Sequence, residues 1–127
     1  MDRGGLMRHL FSGVNRAHDP QNLTDLERKH IPAVTCPPQV AVGERFAVTV
    51  EVGGSPAPFG DRGHFIEFID LYADETYLAR VSLTAATTTP RVSLTVCLSA
   101  PAERLRAFAR CNLHGVWVGE VPIVVRP

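Results

Sequence analysis

No stretch of this 127-residue chain approaches the roughly 20 apolar residues that a membrane-spanning helix needs. Charge of one sign is equally lacking: 13 Lys and Arg stand against 13 Asp and Glu, which leaves no electrostatic footprint for nucleic acid or an anionic membrane. Cysteine is scarce. Cys36, Cys97 and Cys111 are odd in number and scattered, so a disulfide framework is excluded and a reducing compartment with one functional thiolate fits better. The opening stretch MDRGGLMRHLFSGVNRAHD is broken by Arg, His and Gly, without the apolar core of a signal peptide. Repeats and low-complexity tracts are missing too. These absences lead to the expectation of a soluble cytoplasmic protein with no nucleic-acid and no membrane partner.

What the chain does have is a globular composition, 45% hydrophobic, and a length suited to one domain with a real core. Residues 1–26 read as an N-terminal arm, with NLTDLERKH forming a short helical turn capped by Asn22 or Thr24. Residues 27–127 form the domain. ERFAVTVEV alternates, placing Phe46, Val48, Val50 and Val52 on one face of a half-buried strand. FIEFIDLYA, TYLARVSLT, RVSLTVCLSA and GVWVGEVPIVV read as further strands. ERLRAFARC would suit a helix face, yet Leu105, Ala107, Ala109 and Cys111 also alternate and its neighbours are strands, so it is read as one more. Six or seven strands separated by Pro and Gly turns predict an all-β fold, an antiparallel β-sandwich. Cys36 and Cys97 read as structural; GGSPAPFGDRGH is a loop of unusual length, and such loops tend to carry function.

Residues able to do chemistry are few. CNLHGVW sets a thiol and an imidazole three residues apart in a Gly-ended turn before the only Trp, a spacing that lets both side chains meet one metal ion. Of the five His, His9 and His18 lie in the arm, whereas His30, His64 and His114 each sit where a loop meets a strand. A sandwich gathers its loops at its two ends, so these residues can converge. Three imidazoles and one thiolate make a mixed nitrogen and sulfur set suited to iron, zinc or copper and not to magnesium or calcium.

KHIP, HFIEFIDLYA and CNLHGVW, in this order in an all-β chain, resemble the superoxide reductase family, comprising neelaredoxin and the catalytic domain of desulfoferrodoxin. The likeness spans about residues 26–120. No paired cysteines precede residue 36, so the likeness is to the one-iron form. The resemblance implies a seven-stranded immunoglobulin-like sandwich and a mononuclear non-haem iron held by four equatorial His and one axial Cys. It implies His30, His64, Cys111 and His114 as ligands, Lys29 as the lysine that attracts superoxide and assists protonation, and a small electron donor such as a rubredoxin. A homo-oligomer is compatible with it.

Two positions depart from the family pattern. Ala57 stands where the remaining equatorial His is expected, in a loop one residue longer, and it has no donor atom. Asp61 or a water is the candidate to fill that place, with His9 or His18 from the arm as others. The family glutamate precedes the lysine directly, but here that position is Arg28 and Glu27 comes one residue earlier. Glu27 reaches the metal only if this stretch is helical or bent. The expected function is reduction of superoxide to hydrogen peroxide. The alternative is a sandwich protein that binds zinc, copper or iron as a carrier, sensor or binding module without that activity. Glu67 and Asp70 are expected to orient ligands or face solvent.

Overall fold

The computed structural model describes residues 13–53 and 63–127. Ten strands and one short helix follow in the order β1 (Val14–Asn15), α1 (Asp25–His30), β2 (Ala33–Thr35), β3 (Gln39–Ala41), β4 (Arg45–Glu51), β5 (Ile66–Ala73), β6 (Thr76–Ser82), β7 (Arg91–Cys97), β8 (Arg104–Cys111), β9 (Gly115–Pro122) and β10 (Val124–Arg126). They form a five-stranded sheet of order β1-β9-β8-β5-β6, a three-stranded sheet β2-β4-β7 and a two-stranded pair β10-β3. The all-β sandwich expected from the alternating strands is what the chain builds.

The apolar faces explain the layers. Phe46, Val48, Val50 and Val52 of the β4 segment are all buried, as their period of two predicts. From the larger sheet, Ile69, Leu71 and Ala73 of β5 and Leu105, Ala107, Ala109 and Cys111 of β8 are buried in the same core. Burying each large aliphatic side chain there stabilises the fold by about 1.5–3 kcal/mol. ERLRAFARC is a strand, and its alternation ends on Cys111, the last inward position of β8. The thiol is thereby delivered to one end of the core.

Three details stand beside these expectations. Antiparallel pairing holds for the long strands, and two short strands add parallel pairs, β1 with β9 and β10 with β3; a parallel pair cannot be closed by a tight turn, and each of these has the long connection it needs. Cys97 is exposed: it follows the inward-facing Val96 on β7, so strand alternation turns it to solvent despite its apolar neighbours. α1 spans Asp25–His30, and β1, ahead of it in the chain, lies at the edge of the main sheet. Among the described residues, no helix is long and apolar enough to cross a membrane.

Candidate metal centre

His30 is placed by α1. Thr24 caps the helix: its hydroxyl accepts from Glu27 N at 3.1 Å while the Glu27 carboxylate accepts from Thr24 N at 2.9 Å, a reciprocal capping box. Arg28, Lys29 and His30 occupy the last turn, where positive charge complements the helix dipole. Pro32 lies two residues beyond the helix, a usual place for proline after a helix end. His30 is almost wholly buried, and its Nδ1 lies 2.7 Å from the Leu26 carbonyl oxygen. A carbonyl only accepts, so Nδ1 carries the proton and Nε2 is left with its lone pair.

The exit of α1 lies across β9 at Gly119. A Cβ there would stand 1.9 Å from the Pro32 carbonyl oxygen and 3.2 Å from Ile31 Cγ2. Absence of a side chain at 119 is what lets the His30 segment sit down on the sheet.

Cys111 and His114 come from the end of β8 and the turn into β9. Gly115 closes that turn at φ +80°, a left-handed conformation that L side chains avoid. Trp117 holds the turn from below: its Nε1–H donates to the His114 carbonyl at 3.0 Å, and its ring stacks on His30 with centroids 5.0 Å apart. His64 precedes β5 and is tied to the same turn by Asn112, whose Oδ1 accepts from Phe65 N at 2.9 Å and whose Nδ2 donates to Gly63 O at 3.1 Å. One amide side chain therefore grips the peptide groups on both sides of His64.

The result is a cluster of four donors. His30, His64, Cys111 and His114 each offer one ligand atom, and these atoms all lie within 4.8 Å of one another. His114 Nδ1 is 3.2 Å from His30 Nε2 and 3.7 Å from Cys111 Sγ. The three imidazole centroids are 4.9, 5.0 and 5.6 Å apart. Cys111 and His30 are buried, His64 is half-buried and His114 is exposed, so the cluster opens to solvent on the His114 side. Burial depresses the His30 pKa, and the neighbouring His114, His64 and Lys29 charges push it the same way. A neutral imidazole with Nε2 unprotonated is the form that binds a metal. Borderline imidazole nitrogens and a soft thiolate suit a first-row transition metal, and the Leu26 carbonyl behind His30 is the kind of outer hydrogen bond that orients metal-binding histidines.

The remaining candidates fall elsewhere. Lys29 is exposed beside His30. The Glu27 stretch is helical, which was the condition for that carboxylate to reach the metal, yet both its oxygens are engaged: Oε1 by Thr24 N and Oε2 by His18 N at 3.1 Å. His18 is exposed, and its backbone N–H serves that cap. Ala57, Asp61 and His9 lie outside the described residues. Glu67 pairs with Arg110 at 2.9 Å, and Asp70 is held by both Arg80 Nε and Nη2 at 2.6 and 2.9 Å. Cys36 is half-buried, and burial raises its thiol pKa. Reading residue types for donor atoms missed Asn112, Gly119 and the stacking of Trp117, because none is a ligand. Asn directly after the Cys was the visible signal, since Asn side chains bind backbone groups readily.

The desulfoferrodoxin family model matches residues 22–120. A protein of Methanocaldococcus jannaschii named "Putative superoxide reductase" is 40% identical over 120 residues, covering 91% of this chain and 97% of its own. Among solved structures, superoxide reductase (neelaredoxin) from Ignicoccus hospitalis is similar with a TM-score of 0.77 at 27% identity, over 91% of this chain and 98% of its own. Superoxide reductase from Nanoarchaeum equitans is similar with a TM-score of 0.66 at 25% identity, over 87% and 99%. The match spans the helix that carries His30, the strand entry that carries His64 and the turn that carries Cys111 and His114, and on it the chain belongs to the desulfoferrodoxin family, whose superoxide reductases are its relatives in sequence and in fold.

Proposed function

We propose that this protein is an oxidoreductase that reduces superoxide to hydrogen peroxide at one non-haem iron held by His30, His64, His114 and Cys111. The observation that carries the reading is the convergence of those four ligand atoms within 4.8 Å in a chain of this family. Superoxide takes up one electron and two protons to give hydrogen peroxide, and the iron, when bound, supplies that electron and recovers it from a small donor protein such as a rubredoxin.

The chain's own residues do the rest. Cys111, buried at the end of β8, gives an anionic sulfur that favours a transition metal over a hard cation. His30 and His64 hold neutral nitrogens against it. With one thiolate and neutral imidazoles, a ferrous site carries about one net positive charge, which favours approach of an anion. Lys29, exposed one residue before His30, adds a positive charge at the mouth and a proton donor close to where charge develops. The exposed edge at His114 is the way in for a molecule as small as superoxide. Location in the cytoplasm belongs to the same reading.

The test is metal analysis of the protein as isolated, followed by anaerobic mixing of the ferrous form with superoxide. About one iron per chain and rapid superoxide loss, with peroxide formed and no dioxygen released, is the expected result. The absence of dioxygen separates reduction from dismutation. Zinc at the site, with superoxide decay unchanged after loading with ferrous iron, would overturn the proposal in favour of a binding protein.

A further inference from the structure

We infer that Glu27 is a positioning residue, whose carboxylate ties the chain before α1 to the helix and so seats the His30 ring at the metal centre. The inference rests on the reading of His30 as a metal ligand.

Both carboxylate oxygens accept a backbone hydrogen bond. Oε1 accepts from Thr24 N at 2.9 Å and Oε2 from His18 N at 3.1 Å, and the residue is buried. Those two backbone N–H groups, Thr24 first and His18 second, hold its carboxyl below the usual glutamate range although burial pulls the other way. Swinging toward the metal would break both bonds and expose two backbone donors. In the arrangement seen, Glu27 serves this cap and is not among the clustered ligand atoms.

What the cap supports is the His30 ring. A six-residue helix is far too short to persist on its own propensity, so α1 depends on its ends and its packing. Glu27 serves both ends: its side chain completes the N-terminal box, and its carbonyl accepts from Ile31 N at 2.8 Å where the helix stops. The Leu26 carbonyl that fixes the His30 tautomer belongs to the same turn.

The tie also spans the two halves of the centre. Three residues before His18, Asn15 lies opposite Trp117 in the β1–β9 pairing, and its Nδ2 donates to Val116 O at 3.0 Å and to His114 O at 3.4 Å. Residues 15–18 thus run from the backbone of His114 to the carboxylate that holds the His30 helix. A strap fastened at one end by Asn15 and at the other by Glu27 keeps both imidazoles in register.

The experiment is a cobalt(II) titration of the metal-free full-length protein, comparing wild type with Glu27→Ala, Glu27→Gln and Asp25→Asn. Asp25 is an acid of the same first turn with a fully exposed side chain, so its variant isolates helix charge from the tie. Glu27→Ala should weaken cobalt binding about 10–100-fold, the usual effect of losing a group that orients a ligand. Glu27→Gln should fall between, because its amide keeps one acceptor oxygen, and Asp25→Asn should match wild type. The cobalt spectrum at saturation should be the same in all four, since the ligand set is unchanged. An unweakened Glu27→Ala, or a saturated spectrum altered by that substitution as loss of a carboxylate ligand would alter it, overturns the inference. The Gln variant keeps the test decisive should the Ala variant not fold. Wild type that binds no cobalt fails the ligand assignment instead, and the inference falls with it.

Discussion

Nε2 of His30 and Nδ1 of His114 face each other at 3.2 Å, although the two residues are 84 apart in the chain. Two lone pairs do not sit at that distance without a proton between them. Because Nδ1 of His30 is committed to the Leu26 carbonyl at 2.7 Å, the shared proton belongs to His114 Nδ1 in the metal-free protein. A metal taken up at this point replaces that proton and forces His114 into the tautomer protonated at Nε2, while His30 keeps its own tautomer. Long-range nitrogen–proton correlation spectra of histidine-labelled protein, with diamagnetic zinc(II) as the probe, should show His114 switching tautomer and His30 unchanged. A His30 ring protonated at Nε2 in either form contradicts this.

Gly119→Ala should damage the metal centre from a position that holds no donor. The added Cβ would meet the Pro32 carbonyl oxygen at 1.9 Å and its carbon at 3.0 Å, and both belong to backbone that cannot rotate aside. Relief requires lifting the segment just after His30 off β9. Overpacking of this kind costs about 1–3 kcal/mol of stability. Metal affinity should drop by an order of magnitude or more with a circular dichroism spectrum that stays all-β. Equal metal affinity in variant and wild type would show that the His30 segment is not seated by this contact.

The sandwich was legible because its signal is local. Phe46, Val48, Val50 and Val52 announce a strand by period alone, and Leu105 through Cys111 do so for β8 once neighbouring strands decide between helix and sheet. The four clustered donors were legible by residue type and by the KHIP, HFIEFIDLYA and CNLHGVW stretches. The supporting contacts were not. Gly119 matters through a carbonyl 87 residues away in sequence, and Asn112 through Gly63 and Phe65, pairings that no spacing encodes. Parallel pairing of β1 with β9 was hidden for the same reason: two residues of strand leave no periodicity to read. Glu27 was legible as a chemical group but not in its role, because S/T-x-x-E capping boxes and metal-reaching glutamates draw on the same residue type.

Trp117 should report the metal directly. It is the only Trp in the chain, and its ring stacks 5.0 Å from the His30 ring at an interplanar angle of 27°. A paramagnetic ion bound by His30 quenches an indole so close, so cobalt(II) should remove most of the fluorescence at about one equivalent, and zinc(II) should shift it with little loss. Trp117→Phe keeps a ring against His30 but deletes the donor to the His114 carbonyl, a change of about 0.5–1.5 kcal/mol for a neutral hydrogen bond. Calorimetric or chemical unfolding of the metal-free variant should register that loss. Cobalt that binds at one equivalent without quenching would place the ion away from His30.

Acid should undo the Glu27 tie before it undoes the sandwich core. The carboxyl titrates below its ordinary range in the folded chain because the Thr24 and His18 N–H groups hold the charged form. A lowered folded value means that the unfolded chain binds the proton more readily. The contribution is therefore fully present above the unfolded glutamate value of about 4.3 and is lost as pH falls through the lower folded value. In metal-free protein, the stability difference between wild type and Glu27→Gln should be constant from neutrality down to about pH 5 and should shrink below that, as the protonated acid comes to resemble the amide. Asp25→Asn should show no such convergence in the hydrogen-exchange protection of the Glu27 and Ile31 amides, since neither amide bonds to the Asp25 side chain. Exchange at those two positions, measured across the acid range, reads the helix alone. A Glu27→Gln difference that persists unchanged to about pH 3 would mean that the carboxylate charge is not what the two backbone donors hold.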